Sequence, residues 1–427
     1  MDQYNGPEDV VRRSRPEVPV TCFRPAALQS AAHWFLHNFP GHVLYAVKAN
    51  PDPFVLAGLF EAGIRHYDAA SLTEIQMVHD MCPGAHIAFM HPVKSRHAIE
   101  RAYVDYGVRD FSFDSMAELE KIVAATAGAD RHSDSGAGRH SDPDTPPDLN
   151  LLLRLAVPNT TAELPLTGKF GCPPEEAPAL LKAARKASKR LGICFHVGSQ
   201  TMDPQAYITA LAVVGDILRG MPRLKVDIID IGGGFPSAYP DMTPPQLADF
   251  KAAIDQGLAQ LPHADTYEFW CEPGRALVAE CTSVLVKVEL RKGDVLYIND
   301  GTYGSLFDAG HIGFRYPVRL IRPTPDSVPY AAAKPRAKGR KAVLKPFRFY
   351  GPTCDSIDYM PGPFFLPDDI GEGDYIEIGQ LGAYGNAMRT GFNGFATHEI
   401  VTVKTPPLLS MYDDARETTD VTAFRAA

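Results

Sequence analysis

Between residues 42 and 275, short apolar runs rich in β-branched and aromatic residues alternate with segments of helical periodicity. This alternation is typical of a parallel sheet, because each parallel strand reaches the next through a crossover that is usually a helix. Helices are predicted over residues 175–190 and 204–219, among others. The apolar runs number eight: 42–50, 64–71, 86–92, 108–115, 149–157, 193–200, 226–234 and 267–275. Eight strand–helix units over about 250 residues predict an α/β fold with a closed (β/α)8 TIM barrel, and a doubly wound sheet is the alternative.

After residue 275 the chain changes to short strands separated by turns, which predicts an all-β domain. The 427 residues also exceed one domain of ordinary size. We therefore expect a barrel domain at 25–275 and a β domain at 276–427, which residues 1–24 could join. Two polar stretches are predicted to be surface loops, namely residues 128–148, whose composition is typical of a disordered insertion, and the basic residues 331–345.

The net charge of -9 and the sequence pI near 5.9 argue against binding to nucleic acid or to an anionic membrane, since both reward a basic surface. No apolar run approaches the roughly 20 residues of a membrane span, and residues 1–20 lack a secretion signal, so we expect a cytoplasmic protein. The seven cysteines include no Cys-x-x-Cys pair, which indicates neither a disulfide framework nor a thiolate metal site. A small-molecule ligand and no metal are expected.

The active site of a barrel of this kind is built from the carboxyl ends of its strands. Polar and reactive residues collect at those ends here: Lys48, Asp68, Arg154, His196, Ser199, Gly232, Gly233, Gly234, Glu272 and Arg275. A lysine after an apolar strand suits Schiff-base formation, although alone it would more often reach out to solvent. Three successive glycines let backbone amides approach a phosphate, or simply form a tight turn. The pattern is not that of a dinucleotide-binding loop.

Two further residues have both a functional and an ordinary interpretation. Glu272 could pair with Arg275 at the strand end, or could lie beside a pyridine nitrogen and keep the ring protonated as an electron sink. His196, flanked by apolar residues, is by itself more often a satisfied core histidine than a catalytic group. The sequence order in which these residues occur then decides between the interpretations.

Six motifs, YAVKAN, FHVGSQ, DIGGGFP, EPGR, GPTCDSID and GAYG, together resemble the fold type III pyridoxal-phosphate enzymes over about residues 20–405. That family comprises ornithine, lysine, arginine and diaminopimelate decarboxylases and, more remotely, alanine racemase; the resemblance is strongest to the bacterial ornithine decarboxylases. It implies a cofactor-binding alanine racemase-like barrel in which Lys48 binds pyridoxal 5'-phosphate covalently, His196 stacks on the ring and Glu272 pairs with the ring nitrogen. The other implied cofactor-binding residues are Asp68, Arg154, Ser199, Gly233, Gly234, Gly274, Arg275 and Tyr384, with Glu74 behind the ring pocket.

In this family the GPTCDSID segment reaches into the active site of the neighbouring subunit of a head-to-tail homodimer. The resemblance therefore assigns Cys354 to returning a proton to the substrate carbon and Asp355 to binding the distal ammonium group. A thiol can deliver a proton at neutral pH, and a carboxylate favours a cationic side chain, so both assignments are chemically reasonable. Asp308, Tyr303 and Phe392 are the other implied substrate-binding residues. Lys169 and Asp358 are implied to form a salt bridge across the dimer interface.

The implied reaction is decarboxylation of a basic amino acid, L-ornithine to putrescine in polyamine biosynthesis, with L-lysine to cadaverine as a second candidate reaction. A diaminopimelate decarboxylase is the nearest alternative, but in that branch the motif usually has Glu where Asp355 stands. A non-catalytic protein similar to the antizyme inhibitors is another, although it would have no need to keep Lys48, Glu272 and Cys354. A racemase is the third alternative, but it would not need an acidic residue such as Asp355 to bind a distal amine.

Overall fold

The computed structural model describes residues 1–129, 148–158, 162–165, 168–323 and 343–412. The predicted disordered insertion at 128–148 and the basic loop at 331–345 lie almost entirely outside these residues. The chain divides into two compact units. The barrel unit contains Ala32–Pro236 and Pro244–Arg275, and the β unit contains Met1–Ala31, Ser237–Thr243 and Ala276–Ala427.

Eight parallel strands close into a barrel, as the sequence predicts. We number them β1 His42–Ala46, β2 His66–Ala69, β3 His86–Phe89, β4 Asp110–Phe113, β5 Asn150–Arg154, β6 Arg190–Cys194, β7 Ile228–Asp230 and β8 Glu268–Cys271. The helices between or beside them are Pro25–Asn38, Pro53–Glu61, Leu72–Met81, Arg96–Asp105, Met116–Ala129, Ala177–Lys186, Gln205–Gly220 and Leu247–Ala259. Two short strands in this unit, Ala162–Leu164 and Ser199–Thr201, pair antiparallel outside the barrel.

The interior of the barrel is filled by side chains from alternate strands. Leu44, Ala88, Leu152 and Ile228, which come from β1, β3, β5 and β7, are all fully buried in one cluster. A side chain at Gly192 would come within about 3 Å of both Leu152 and Ile228, so the glycine of β6 makes room for this layer. The barrel is therefore a packed core, and its chemistry must lie at an end.

The predicted boundary between a helix and β6 is wrong. The helix predicted over 175–190 ends at Lys186, and β6 begins at Arg190 rather than Ile193. Periodicity assigned the charged residues near 190 to the helix, but tertiary pairing places them in the strand. Arg190 pairs with Asn150 of β5 in register, and its guanidinium donates to Glu268 of β8 at 2.6 Å.

Three histidines stack at the amino-terminal ends of neighbouring strands. The ring centroids of His42 and His66 are 4.2 Å apart, and those of His66 and His86 are 5.2 Å apart. The outer two rings each meet a carboxylate, because His42 Nε2 lies 3.3 Å from Glu268 and His86 Nε2 lies 3.0 Å from Asp110. This end of the barrel is thus held together by polar contacts that depend on protonation.

The β unit is built around one sheet. Its strands follow the order Gln3–Tyr4, Glu399–Val403, Val20–Phe23, Thr282–Lys292, Val295–Ile298, Leu344–Tyr350 and Tyr359–Pro367, and Tyr375–Ile378 joins both Thr282–Lys292 and Val318–Ile321. The helix Pro7–Ser14 packs its valines into the core of this sheet. Glu377 is fully buried and accepts from Arg24, from Arg319 and from the hydroxyl of Ser283. These bonds satisfy the buried carboxylate.

Two short segments of the predicted barrel domain, residues 25–31 and Ser237–Thr243, cluster with the β unit instead. The segment Ser237–Thr243 contacts the rest of the β unit through the ring of Tyr239 and through its backbone. Tyr239 packs against Phe314 and Tyr316, and Gln380 Nε2 donates to the carbonyl of Ala238 at 3.0 Å. No helix in the described ranges is long and apolar enough to span a membrane.

Candidate active site

Lys48 lies in a single 3-10 turn, Val47–Ala49, at the carboxyl end of β1. Its neighbours Val47 and Ala49 are fully buried, whereas 44% of the Lys48 side chain is exposed. The Lys48 side chain is therefore not desolvated in the chain alone, because the turn directs it away from the core. Its Nζ lies 3.4 Å from Oδ2 of Asp68, which is buried at the end of β2. An amine is thus presented at the mouth of the barrel beside a fixed carboxylate.

Glu74 has a local structural role. The side chain of Ser71 accepts from the backbone N–H of Glu74, and Glu74 Oε2 in turn accepts from the backbone N–H of Ala70 at 2.7 Å. This reciprocal pair caps the helix Leu72–Met81 directly after β2. Burial raises the pKa of Glu74. The cap fixes the turn that follows β2, the strand that carries Asp68.

The glycine loop that follows β7 must be glycine for steric reasons. A Cβ at Gly232 would lie 1.9 Å from the carbonyl oxygen of Phe195, and one at Gly233 would lie 2.6 Å from that of Glu272. Gly234 has a φ of +110° and approaches the carbonyl of Gly198 just as closely. The loop is therefore packed against the ends of β6 and β8, and its three glycines carry no side chains of their own over its backbone.

His196 follows β6 beside this loop. Its Nδ1 accepts from the backbone N–H of Gly198 at 3.0 Å, which leaves the ring proton on Nε2. Burial, together with the positive charges of Arg154 and Lys48, holds the pKa of His196 well below its usual value. The ring is consequently neutral at physiological pH, and a neutral flat ring suits stacking on another aromatic ring.

Glu272, directly after β8, is buried and lies against a second buried carboxyl group, Asp230 at the end of β7. Burial and then the nearby carboxylates of Asp230 and Asp68 raise the pKa of Glu272 well above its usual value. Burial also raises the pKa of Asp230 to about 6. Within the described residues, Oε1 of Glu272 has no hydrogen-bond donor. A buried acceptor without a donor is costly unless a ligand supplies one.

The remaining predicted residues of the barrel unit lie at the same carboxyl ends. Arg154 ends β5, Ser199 opens the short strand Ser199–Thr201, and Arg275 is buried at the start of the helix Arg275–Val278. Gly274 packs closely on β1, because a Cβ there would lie 3.2 Å from the side chain of Ala46. The structure thus brings the predicted barrel residues together around one mouth of the barrel.

The predicted substrate residues form a separate group in the β unit. The hydroxyl of Tyr303 donates to Oδ2 of Asp355 at 2.6 Å, and the backbone N–H of Ile357 donates to Oδ1 at 3.2 Å. These bonds lower the pKa of Asp355, and the bond from Tyr303 has the largest effect. The ring of Tyr303 packs against Phe392 with centroids 4.6 Å apart. The carboxylate of Asp355 is therefore held in place next to the packed rings of Tyr303 and Phe392.

Cys354 is the exposed member of the seven cysteines, all of which are free thiols. Its backbone N–H donates to Oδ1 of Asn393 at 3.1 Å. Asn393 has a φ of +53°, a conformation that asparagine tolerates better than most residues. Asn393 is not among the predicted site residues, and its signal in the sequence is an Asn-Gly pair directly after Phe392.

Asp358 anchors the loop that carries Cys354 and Asp355. Its buried carboxylate accepts from the backbone N–H and hydroxyl of Thr302, at 2.7 and 3.1 Å, and from those of Thr353, at 3.1 and 2.7 Å. All four donors belong to the same chain. The salt bridge from Lys169 to this residue stays a prediction, and it would add to a carboxylate that is already hydrogen-bonded.

Two other predicted residues of the β unit are placed differently from Asp355. Asp308 is buried, 4% exposed, at the start of the π-helical turn Asp308–Ile312. Tyr384 has a φ of +58°, in the left-handed region, and is partly buried. The aspartate accessible from solvent next to Cys354 is therefore Asp355.

Residues 26–279 match the sequence model of a family described as "Pyridoxal-dependent decarboxylase, pyridoxal binding domain". The lysine/ornithine decarboxylase of Selenomonas ruminantium is 34% identical over 361 residues, which cover 83% of this chain and 81% of that protein. The chain belongs to the pyridoxal-dependent decarboxylases. The ornithine decarboxylase of Panagrellus redivivus is 33% identical over 386 residues, or 82% and 77% of the two chains.

A solved structure supports the same family assignment. The lysine/ornithine decarboxylase of Vibrio vulnificus, complexed with putrescine, superposes with a TM-score of 0.74 at 27% identity, covering 94% of this chain and 99% of that one. As a pyridoxal-dependent decarboxylase, this chain is a carboxy-lyase that uses pyridoxal 5'-phosphate on a basic amino acid.

The barrel mouth fits this cofactor. A protonated pyridine nitrogen is a donor of the kind that the buried Oε1 of Glu272 lacks within the described residues. The exposed amine of Lys48 is available for a covalent bond to an aldehyde, and the neutral ring of His196 lies close to the glycine loop, since a Cβ at Gly233 would be 3.0 Å from its Nε2. The decarboxylase cofactor and these residues are therefore chemically complementary.

Proposed function

We propose that this decarboxylase converts L-ornithine to putrescine and carbon dioxide in polyamine biosynthesis, and that L-lysine is a second substrate, giving cadaverine. The observation that carries the proposal is the carboxylate of Asp355, fixed by Tyr303 and by the backbone of Ile357. An ionised carboxylate attracts a distal ammonium group and repels a distal carboxylate. It therefore favours a diamino monocarboxylic acid over diaminopimelate.

Chain length is the second determinant of specificity. Ornithine and lysine differ by one methylene group, and a pocket separates such homologues by only about 1–3 kcal/mol. The names of the relatives, a lysine/ornithine and an ornithine decarboxylase, support the same pair of substrates. Tyr303 and Phe392 would pack against the aliphatic part of the substrate, and buried Asp308 is the second candidate for its ammonium group.

The residues of the barrel unit would hold the cofactor. Lys48 would bind it covalently through its amine, His196 would stack on the ring, and Glu272 would face the ring nitrogen. Asp68 and Arg154 would support the ring pocket, and the phosphate would be held by Ser199, Gly233, Gly234, Gly274, Arg275 and Tyr384. When bound, pyridoxal phosphate supplies an electron sink for the bond between the α-carbon and the carboxylate.

The proton that replaces carbon dioxide would come from Cys354. Its thiol is exposed, and the loop that carries it is fixed by Asn393 and Asp358. A thiol can give a proton to carbon at neutral pH and recover it from water. Asp355, the next residue, would meanwhile hold the far end of the substrate. Proton delivery and substrate binding are thus assigned to one rigid loop.

We also propose that the active sites are shared in a homodimer, with Lys48 supplied by one subunit and Cys354 with Asp355 by the other. The support is the family resemblance of the GPTCDSID segment and the exposure of Cys354 and Ile357 on the same loop, since 52% of Ile357 is exposed.

The test is carbon dioxide release from ornithine, lysine, arginine and diaminopimelate by the wild type, Asp355→Asn and Asp355→Glu. Asp355→Asn should lower kcat/KM for ornithine and lysine by about tenfold or more, because it keeps the shape and removes the charge. Asp355→Glu should shorten the pocket and penalise lysine more than ornithine. The cofactor absorption band should persist in both variants, as a control for folding. A wild type that prefers diaminopimelate, or an Asp355→Asn variant that turns over ornithine within a few-fold of wild type, would refute the proposal.

A further inference from the structure

Asp230 is a buried carboxyl group to which neither the sequence motifs nor the proposed mechanism assigns a role. It ends β7, and it is in register with Trp270 of β8, two residues before Glu272. Its Oδ1 accepts from the backbone N–H of Gly232 at 2.8 Å, and the N–H of Glu272 donates to the carbonyl of Gly232 at 2.8 Å. The two strand ends are therefore tied together through the first glycine of the loop.

The carboxyl groups of Asp230 and Glu272 are both buried at the ends of neighbouring strands, and each affects the pKa of the other. Within the described residues, neither Oδ2 of Asp230 nor Oε1 of Glu272 has a donor group. Two carboxylates cannot bond to each other, because each is only an acceptor. One proton between them turns this repulsive contact into a hydrogen bond, as in paired catalytic carboxyl groups.

The charges with the largest effect on this pair favour the same proton. Within the described residues these are Asp68 from β2, Lys48 after β1 and Arg154 from β5. His196 after β6 is neutral, and burial keeps the thiols of Cys194 and Cys271 protonated by raising the pKa of each. Three carboxyl groups thus face two cations, and one proton makes the cluster neutral. A protonated pyridine ring would provide the same positive charge.

We infer that Asp230 and Glu272 share one proton in the cofactor-free chain and release it to solvent when a ring with a protonated nitrogen binds. The shared O–H bond breaks, both groups become carboxylates, and the N–H of the ring replaces the lost donor to Glu272. Asp230 is then a positioning residue that acts through Glu272. This inference rests on the proposed placement of Glu272 against the ring nitrogen.

The test counts the protons released when pyridoxal 5'-phosphate is titrated back into the cofactor-free full-length protein. Calorimetry in two buffers of different ionisation enthalpy gives this number. Asp230→Asn donates an amide N–H to Glu272 and balances the cluster without a proton. The wild type should therefore release about one proton more per cofactor than Asp230→Asn. By linkage, the affinity of the wild type for the cofactor should rise with pH more steeply than that of Asp230→Asn. The difference should be about tenfold per pH unit over the range in which the pair titrates.

The matched control is Asp216→Asn, which removes an equally charged but exposed side chain of the helix Gln205–Gly220. It should release as many protons as the wild type. Contributions from Lys48 and from the phosphate are common to all variants and cancel in the difference. Equal proton release by the wild type and Asp230→Asn would overturn the inference. Because no amino-acid substrate enters this titration, the result is independent of whether ornithine is turned over.

If Asp230→Asn does not bind the cofactor, infrared spectra of the cofactor-free proteins decide. The band of a protonated carboxyl group in the wild type should disappear both in Asp230→Asn and in Glu272→Gln, because each variant removes one half of the pair. A band that persists in either variant would show that the proton is not shared and would overturn the inference.

Discussion

Asp358→Asn should lower the free energy of unfolding by about 2–5 kcal/mol, since the buried carboxylate of Asp358 accepts four hydrogen bonds. Asparagine keeps the shape but replaces one oxygen by an NH₂ group. Whichever way the amide is oriented, this group faces a backbone N–H and a hydroxyl from either Thr302 or Thr353. The hydroxyl can turn to accept, but the backbone donor stays without an acceptor, at about 1–3 kcal/mol. The two bonds that remain lose their charge assistance, at roughly 0.5–1 kcal/mol each.

The assay is urea unfolding of the cofactor-loaded enzyme at neutral pH and one fixed protein concentration, because subunit association would make stability depend on concentration. The control is Asp294→Asn in the same unit, which removes an exposed carboxylate that pairs with Arg348 at 2.9 Å. Exposed pairs contribute little, so this variant should unfold with the wild type. The kcat/KM should fall in Asp358→Asn alone, since its loop carries Cys354 and Asp355. If the two variants were equally stable and equally active, Asp358 would not anchor this loop.

Three further predictions concern the cofactor, the dimer and pH. Borohydride reduction of the yellow enzyme should fix the cofactor on Lys48 in peptide maps, and a label on any other lysine would contradict the assignment. Mixing inactive Lys48→Ala with inactive Cys354→Ala subunits should restore activity, since one site of the heterodimer keeps both groups; no recovery despite demonstrated subunit exchange would exclude shared sites. Burial and the neighbouring histidines lower the pKa of His66 from 6.5 to about 4. The unfolded chain therefore binds a proton at this ring more readily than the folded chain does. Stability should fall as the pH drops from about 6.5 to about 4. In urea titrations over that pH range, the free energy of unfolding of the wild type should fall by on the order of 1–2 kcal/mol more than that of His66→Gln. This figure allows for solvent screening of the partly exposed ring. If the two proteins lost stability in parallel, His66 would not be the cause.

The barrel could be predicted from the sequence because its signal is local. Each strand is a short apolar run, and each run is followed by a helical segment that the chain itself places next to it. The start of β6 was misplaced because Arg190 belongs to the strand through a partner on β8, Glu268, and local periodicity carries no record of that contact. Pairing between strands is a tertiary property.

The candidate site divides in the same way. Lys48, His196 and Glu272 stand in short motifs at strand ends, which is why the sequence reveals them. Asp230 opens the DIGGGFP motif, but the sequence gives it no role, because its neighbour on the next strand end, Glu272, is known only from the structure. The contacts that fix the substrate loop are equally remote along the chain, since Tyr303 and Asp355 are 52 residues apart.

The β unit is assembled from residues at opposite ends of the described chain. The strand Val20–Phe23 lies between Thr282–Lys292 and Glu399–Val403, and the buried guanidinium of Arg24 pairs with Glu377, 353 residues later. A ribosome therefore makes this strand before both of its partners, with every strand of the barrel in between. The barrel has all its strands available while Val20–Phe23 still lacks both neighbours. Until residues 399–403 are made, one edge of this strand stays unpaired, and an unpaired strand edge can pair with another nascent chain.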